Sequence, residues 1–203
     1  IIDGGRPVSS ALSSTASVGY TQDCPVKSRM MDKLSLLLLA HSQSEGVPTA
    51  LAVSRESRLA VVTNRGTLLV FSLTTENIER VVRCADGESA ACVAFSPDGR
   101  SIAIGHAKGK ITVVSTASGT VEMTSSQVVQ IDRGVLQIAF LSSRSLVVLD
   151  SGGSVYELRQ KRGMTGRKRE ESRCVFSGCN GEVVQFVVIN QLHLLFLVSL
   201  TKV

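Results

Sequence analysis

Residues 89–116 read SAACVAFSPDGRSIAIGHAKGKITVVST, and the order of residue types in that stretch decides the fold. An apolar run, Ala90 to Phe95, ends at Ser96-Pro97-Asp98-Gly99. Pro second and Gly fourth in that tetrapeptide are the preferences of a type I turn. A second run, Ile102 to Ile104, ends at Ala107-Lys108-Gly109, where a tight hairpin needs positive φ. A third run, Ile111 to Val114, follows at once. Each run is too short for a helix and rich in β-branched residues, which pack well on a pleated surface. The stretch predicts three short antiparallel strands in series.

The same layout recurs on both sides. PTALAVSRESRLAVVTNRGTLLVFSL from Pro48 and GVLQIAFLSSRSLVVLDSGGSVYEL from Gly134 can be written beneath it. The turn glycines Gly66, Gly109 and Gly153 are 43 and 44 residues apart, and Val53, Phe95, Phe140 and Phe186 recur at 42, 45 and 46. A period of about 40–45 residues with several short strands per unit is that of WD40-like propeller blades. A single blade cannot cover both of its faces, so blades stack around an axis and bury one another. A doubly wound α/β fold needs helical patterns of about 10–15 residues between strands. Residues 47–158 contain none, the segment Thr74 to Cys84 being the one modest candidate.

The expected fold is therefore all-β, a partial WD40-like β-propeller. Blades are expected near residues 47–88, 89–133 and 134–181, with part of a fourth at 182–203, inside a propeller segment spanning 30–203. Residues 1–29 are rich in Ser, Thr and Gly without periodicity and read as a flexible lead-in. Closed propellers have about 4–8 blades, so about three and a half predict a fragment of a longer chain. The first residue, Ile1, points the same way.

Composition narrows the function. The 203 residues are 43% hydrophobic and 19% charged, enough to bury a core. No run approaches the roughly 18 apolar residues of a membrane-spanning helix, and the N-terminus lacks the layout of a signal peptide. Five cysteines, Cys24, Cys84, Cys92, Cys174 and Cys179, show no dense spacing. They read as buried free thiols of a protein in a reducing compartment rather than a disulfide framework.

The net charge of +5 sits in one place. Residues 159–173, RQKRGMTGRKREESR, hold seven basic and two acidic residues, which leaves 15 of each sign elsewhere. This segment reads as a long loop between the third and fourth strands of one blade. Its bland reading is a solvated loop. Its functional reading is a contact, through Arg159, Lys161, Arg162, Arg167, Lys168 and Arg169, with an anionic membrane or an acidic partner. A nucleic-acid-binding module is disfavoured, because the segment has no aromatic residue for stacking bases.

No constellation here carries catalysis. Gly105 to Lys110 approaches a phosphate-binding loop, but only three residues separate its glycines, Ile111 follows the lysine, and the next segment is a strand. Cys174 and Cys179 are spaced C-x4-C without the second ligand pair that zinc requires. His41, His106 and His193 stand apart from any nucleophile arrangement. Neither an enzyme nor a bound cofactor or metal is expected.

The wording of the blades carries a more specific signal. VPTALAV (47–53), GHAKGKITVVSTASG (105–119), DSGGSVYEL (150–158), ESRCVFSGCNGEV (171–183) and SLTKV (199–203) resemble, in order and spacing, the N-terminal propeller of the vacuolar protein sorting-associated protein 8 family. DSGGSVYEL and ESRCVFSG are the most diagnostic. The resemblance implies a non-enzymatic scaffold of the endosomal tethering complex CORVET, on the cytosolic face of early endosomes. Its implied partners are the other tethering-complex subunits and a Rab5-type small GTPase. The implied role is endosome fusion and transport to the vacuole or lysosome. The family's solenoid and RING-type domain have no counterpart here, and Val114-Ser115 replace the usual Trp-Asp. An unrelated WD40-like scaffold, such as a ubiquitin-ligase substrate receptor, is the alternative.

Overall fold

The computed structural model describes residues 44–84, 87–162, 168–180, 182–190 and 194–200. The expected lead-in, with Cys24, and His41, Arg167 and His193 lie outside them. Fourteen strands are described. The first sheet holds β1 (Pro48–Val53), β2 (Arg58–Thr63), β3 (Thr67–Ser72) and β4 (Asn77–Arg83). The second holds β5 (Ala90–Phe95), β6 (Ser101–His106), β7 (Ile111–Ser115) and β8 (Val121–Ser125). The third holds β9 (Val135–Ser142), β10 (Ser145–Asp150), β11 (Val155–Arg162) and β12 (Lys168–Phe176). A 3-10 turn, Gly178–Asn180, leads to β13 (Glu182–Ile189) and β14 (Leu194–Leu200). Every sheet is an antiparallel meander in chain order, as the recurring turns require.

Burial explains why the middle strands lack the usual polar alternation. β3 and β10 are buried at every position, because both faces of their sheets are covered. Ala60, Val62, Leu68 and Val70 of the first sheet pack on Val93, Ile102, Ile104 and Val114 of the second. Ala103, Ile111, Val113 and Met123 on the second sheet's other face meet Ile138, Phe140, Leu146, Val148 and Leu158 of the third. Val147, Leu149 and Val155 then cover Val183 and Phe186 of β13, with Leu195 and Leu197 of β14 against them. The sheets thus stack face to face, the arrangement of propeller blades.

The first strand of each sheet lies innermost, with β1 against β5, β5 against β9 and β9 against β13. Side chains stitch these strands together. Thr49 Oγ1 donates to the Ala90 carbonyl at 2.6 Å. Gln137 Nε2 donates to the Phe186 carbonyl at 2.9 Å, and its Oε1 accepts from the Phe186 N–H at 3.0 Å. Because Gln137 satisfies both backbone groups of one residue, it fixes the register between the third sheet and the fourth.

Candidate interaction surfaces

In a meander the connections alternate between ends. The β2–β3, β6–β7 and β10–β11 turns and the linkers between sheets share one end, and the remaining turns share the other. Gly66, Gly109 and Gly153 sit in the first set with φ of 71°, 87° and 75°. They do more than permit a turn. A Cβ on Gly66 would lie 2.5 Å from the Glu88 carbonyl oxygen, and one on Gly109 2.5 Å from that of Arg133. Each linker crosses directly over the preceding turn, and only glycine leaves room. The three glycines join blades.

Three different residues brace these turns from the ends of the second strands. Thr63 Oγ1 accepts from the Thr67 N–H at 3.2 Å. Asp150 Oδ1 accepts from Gly152 and Ser154 at 2.9 and 2.8 Å. His106, fully buried, places Nε2 3.1 Å from Thr112 Oγ1. His106 is thus a structural brace within the Gly105–Lys110 segment. A Cβ on Gly105 would meet Val135 Cγ1 at 2.4 Å, so packed side chain fills the space a phosphate would need.

The opposite end is more open. A cleft of about 410 Å³ there is lined by Leu141, Ser142, Arg144, Ser145, Glu157 and Arg159 among others, and reaches Asn190. Another of about 390 Å³ lies between the Val53–Glu56 and Phe95–Gly99 turns and also reaches Asn190. The shared residue places the first-to-second-strand turns of several sheets on one surface.

At the floor of the first cleft lies a buried carboxylate that the sequence reading passed over. Glu157 is 5% exposed and sits in the middle of β11. Its carboxylate accepts from Ser145 Oγ at 2.9 Å, Arg159 Nε at 2.6 Å and Arg173 Nη2 at 3.0 Å. Burial pushes its pKa up. The hydrogen bonds from Arg159 and Ser145 and the charges of Arg159 and Arg173 together outweigh that, holding it below the ordinary value. Arg159 is raised in turn by its hydrogen bond to Glu157.

The backbone explains why these groups meet. Arg159 lies two residues beyond Glu157 on the same face of β11, and Arg173 is directly opposite Glu157 on β12. Arg159 itself faces Glu171. The legible signal was the pattern Glu157-x-Arg159 with Glu171-x-Arg173, two i, i+2 pairs of the same order that an antiparallel register turns into opposed charges.

The structure corrects the extent of the expected loop. Residues 159–162 and 168–173 are paired strand, in register Arg159↔Glu171, Gln160↔Glu170, Lys161↔Arg169 and Arg162↔Lys168. Only 163–167, which include Arg167, lie between the described strands. The basic segment is the outer hairpin of the third sheet, at the same end as the cleft. Its base is charge-compensated.

The cysteines divide as well. Cys84 is buried and Cys92 partly so, whereas Cys174 and Cys179 are exposed, contrary to the expectation of buried thiols. Cys174 lies on β12, the edge strand of its sheet, and Cys179 lies in the 3-10 turn. Among the described residues no group of three or more His, Cys, Asp or Glu side chains is placed to hold a metal.

Comparison with known proteins fits this geometry. A family model described as the Vps8 beta-propeller matches residues 24–203. The chain belongs to the Vps8 β-propeller family. It is 36% identical over 175 residues to the human vacuolar protein sorting-associated protein 8 homolog, covering 78% of this chain and 12% of that protein. The Drosophila melanogaster homolog is 32% identical over 127 residues, covering 62% of this chain and 10% of that one. The chain thus spans about an eighth of the length of these Vps8 relatives. Among solved structures, the Myceliophteria thermophila Cps50 (Swd1) β-propeller domain matches with a TM-score of 0.63 at 13% identity, over 75% of this chain and 49% of that one. Kluyveromyces lactis Hsv2 matches with a TM-score of 0.51 at 15% identity, over 63% and 46%. These likenesses show the fold alone. The Vps8 family thus carries, in this chain, a run of propeller blades that matches about half of another propeller.

Proposed function

We propose that this chain is the propeller part of a non-enzymatic scaffold in a multi-subunit endosomal tethering complex. It binds a Rab5-type GTPase on the cytosolic face of early endosomes and supports endosome fusion and transport to the vacuole or lysosome. The observation that carries this reading is the Vps8 family match across residues 24–203. Two features of the chain support it. Its polar constellations serve the fold: His106, Asp150 and Thr63 brace turns, and Glu157 holds two arginines. Its blades also leave two ends of exposed turns on a rigid body, the layout of a binding platform. The family match favours this over an unrelated WD40-like scaffold.

The proposed division of labour follows the two ends. The basic hairpin approaches an anionic membrane, where each basic residue contributes about 1 kcal/mol of attraction, and the GTPase docks elsewhere. A GTPase changes mainly in its switch segments, so a partner selective for its state must touch them. The test is recovery of Rab5-type GTPase, loaded with GTP or GDP, on the immobilised chain. Preferential recovery of the GTP form is expected. Equal recovery of both forms overturns the effector reading.

A further inference from the structure

The two clefts at the open end carry positive charge that the chain does not balance itself. Around the one of about 410 Å³, the base of the β11–β12 hairpin is neutral. Arg159 and Arg173 both donate to the buried Glu157, and Arg159 stands opposite Glu171. The surplus is Arg144, on the β9–β10 turn. It is exposed and makes no ion pair among the described residues. The cleft of about 390 Å³ repeats the arrangement. Its Glu56 is held by Arg58 at 2.7 Å, and Asp98 Oδ1 accepts from Ser96 Oγ at 2.6 Å and from the Arg100 N–H at 3.2 Å. Arg55, on the β1–β2 turn, is exposed and likewise makes no ion pair among the described residues. Each cleft thus presents one guanidinium whose charge no described side chain answers.

We infer that the joined clefts are a docking groove for an extended acidic segment of a partner protein, with one carboxylate on Arg144 and a second on Arg55. The inference goes beyond the GTPase and membrane contacts proposed above and depends on neither. Charge complementarity selects the occupant. A carboxylate carries the single negative charge that each cleft lacks, and its two oxygens match the paired N–H groups of a guanidinium. Shape selects it as well. Both clefts fall within the about 300–1,000 Å³ of ligand sites, and a side chain can enter a recess that the plane of a membrane only covers. The walls are set before any partner arrives. Asn190 lines both clefts, and its Nδ2 donates to the Phe140 and Leu141 carbonyls at 3.0 and 3.2 Å. Arg159, on the same cleft as Arg144, is fixed by its 2.6 Å hydrogen bond to Glu157. Groups ordered in advance lose little freedom on binding, which favours affinity.

The test immobilises the full chain sparsely on a sensor surface, so that copies do not associate. Soluble oligoglutamate, soluble oligoglutamine and vesicles of phosphatidylserine are passed over it in turn. Oligoglutamate should bind at least about tenfold more tightly than oligoglutamine, and the double variant Arg55→Gln, Arg144→Gln should lose at least about tenfold of that affinity, as expected for removing charge-assisted hydrogen bonds. Both arginines are exposed on turns, so the double variant should keep the thermal midpoint of the wild type. Lys108→Gln removes a positive charge from an exposed turn at the opposite end and should bind oligoglutamate as the wild type does. Weakening by Lys108→Gln as large as that by Arg144→Gln alone would show a response to overall charge and overturn the groove. Equal binding of oligoglutamine overturns the role of the carboxylates. Vesicle binding that the double variant loses, without any binding of oligoglutamate, overturns the peptide reading and assigns the clefts to the membrane. Absence of binding to all three probes overturns the inference too, and recovery of the GTPase then still tests the proposed function separately.

Discussion

Gly109 and Ser57 both hold the backbone in the left-handed region, at φ of 87° and 57°, for opposite structural reasons. At Gly109 the neighbouring linker fills the space a side chain would take, with Val129 Cγ2 2.4 Å from the position of a Cβ. Gly109→Ala should therefore cost at least about 2 kcal/mol, combining left-handed strain with a backbone clash. Ser57 is exposed on the β1–β2 turn, where the corresponding turn of the second sheet has Gly99. There Ser57→Gly relieves about 1–2 kcal/mol of strain against an entropic cost of about 0.5–1 kcal/mol. Thermal unfolding should show that variant slightly stabilised. Glu157 gives a pH-dependent prediction at the same scale. Its folded pKa lies below its ordinary value of 4.5, so its ionised form contributes stability that is present above pH 4.5 and lost as pH falls. Glu157→Gln should cost about 1.5–3 kcal/mol near neutrality, the range for hydrogen bonds to a charged group. Denaturant titrations should show the gap to the wild type narrowing steadily below pH 4.5. A gap independent of pH would mean that shape, and not charge, holds Arg159 and Arg173.

At the scale of strands and sheets, the parts legible in the sequence are those with local causes. Ser96-Pro97-Asp98-Gly99 makes its turn from its own atoms: the Gly99 N–H donates to the Ser96 carbonyl at 2.9 Å, and Ser96 Oγ to Asp98 Oδ1 at 2.6 Å. The spacing of Gly66, Gly109 and Gly153 is legible for a related reason, since each must admit the linker into the next sheet. The hairpin of residues 159–173 was harder to read. Its charge suits a solvated loop, and its strand pairing is fixed by Glu157, which is buried through tertiary contacts that composition does not reveal. Place in the fold likewise decides which thiols are exposed, Cys174 on an edge strand and Cys179 in the 3-10 turn. Burial pushes the Cys92 pKa up to about 12, which leaves almost no thiolate at neutral pH. Peptide mapping after brief alkylation at pH 7.5 should therefore find Cys174 and Cys179 modified well before Cys92 and Cys84. Equal labelling of Cys92 would show that the β5–β9 contact opens readily.

For the molecule as a whole, the decisive asymmetry is which sheet faces are covered. The first three sheets have buried central strands, and their apolar faces meet neighbouring side chains. The β13–β14 sheet is different. Val183 and Phe186 on one face are buried against the third sheet, while Val184, Val187, Leu194, Phe196, Val198 and Leu200 on the other are exposed, Phe196 at 51% and Leu200 at 61%. Among the described residues β14 pairs only with β13, which makes it an edge strand of that sheet. An apolar face beside an open strand edge favours association with a second surface of the same kind. At the other end of the stack, Leu51 and Val53 of β1 are exposed at 68% and 59%. This chain should therefore self-associate as its concentration rises, with the β13–β14 face as the main contact. Phe196 and Val187 are register partners on that face. Replacing both with Lys removes its centre without opening a cavity, because neither side chain is buried. Light scattering across a concentration series should show the variant monomeric where the wild type associates, with little change in thermal midpoint. A wild type that stays monodisperse at high concentration would contradict the argument, and so would a variant that associates as strongly as its parent.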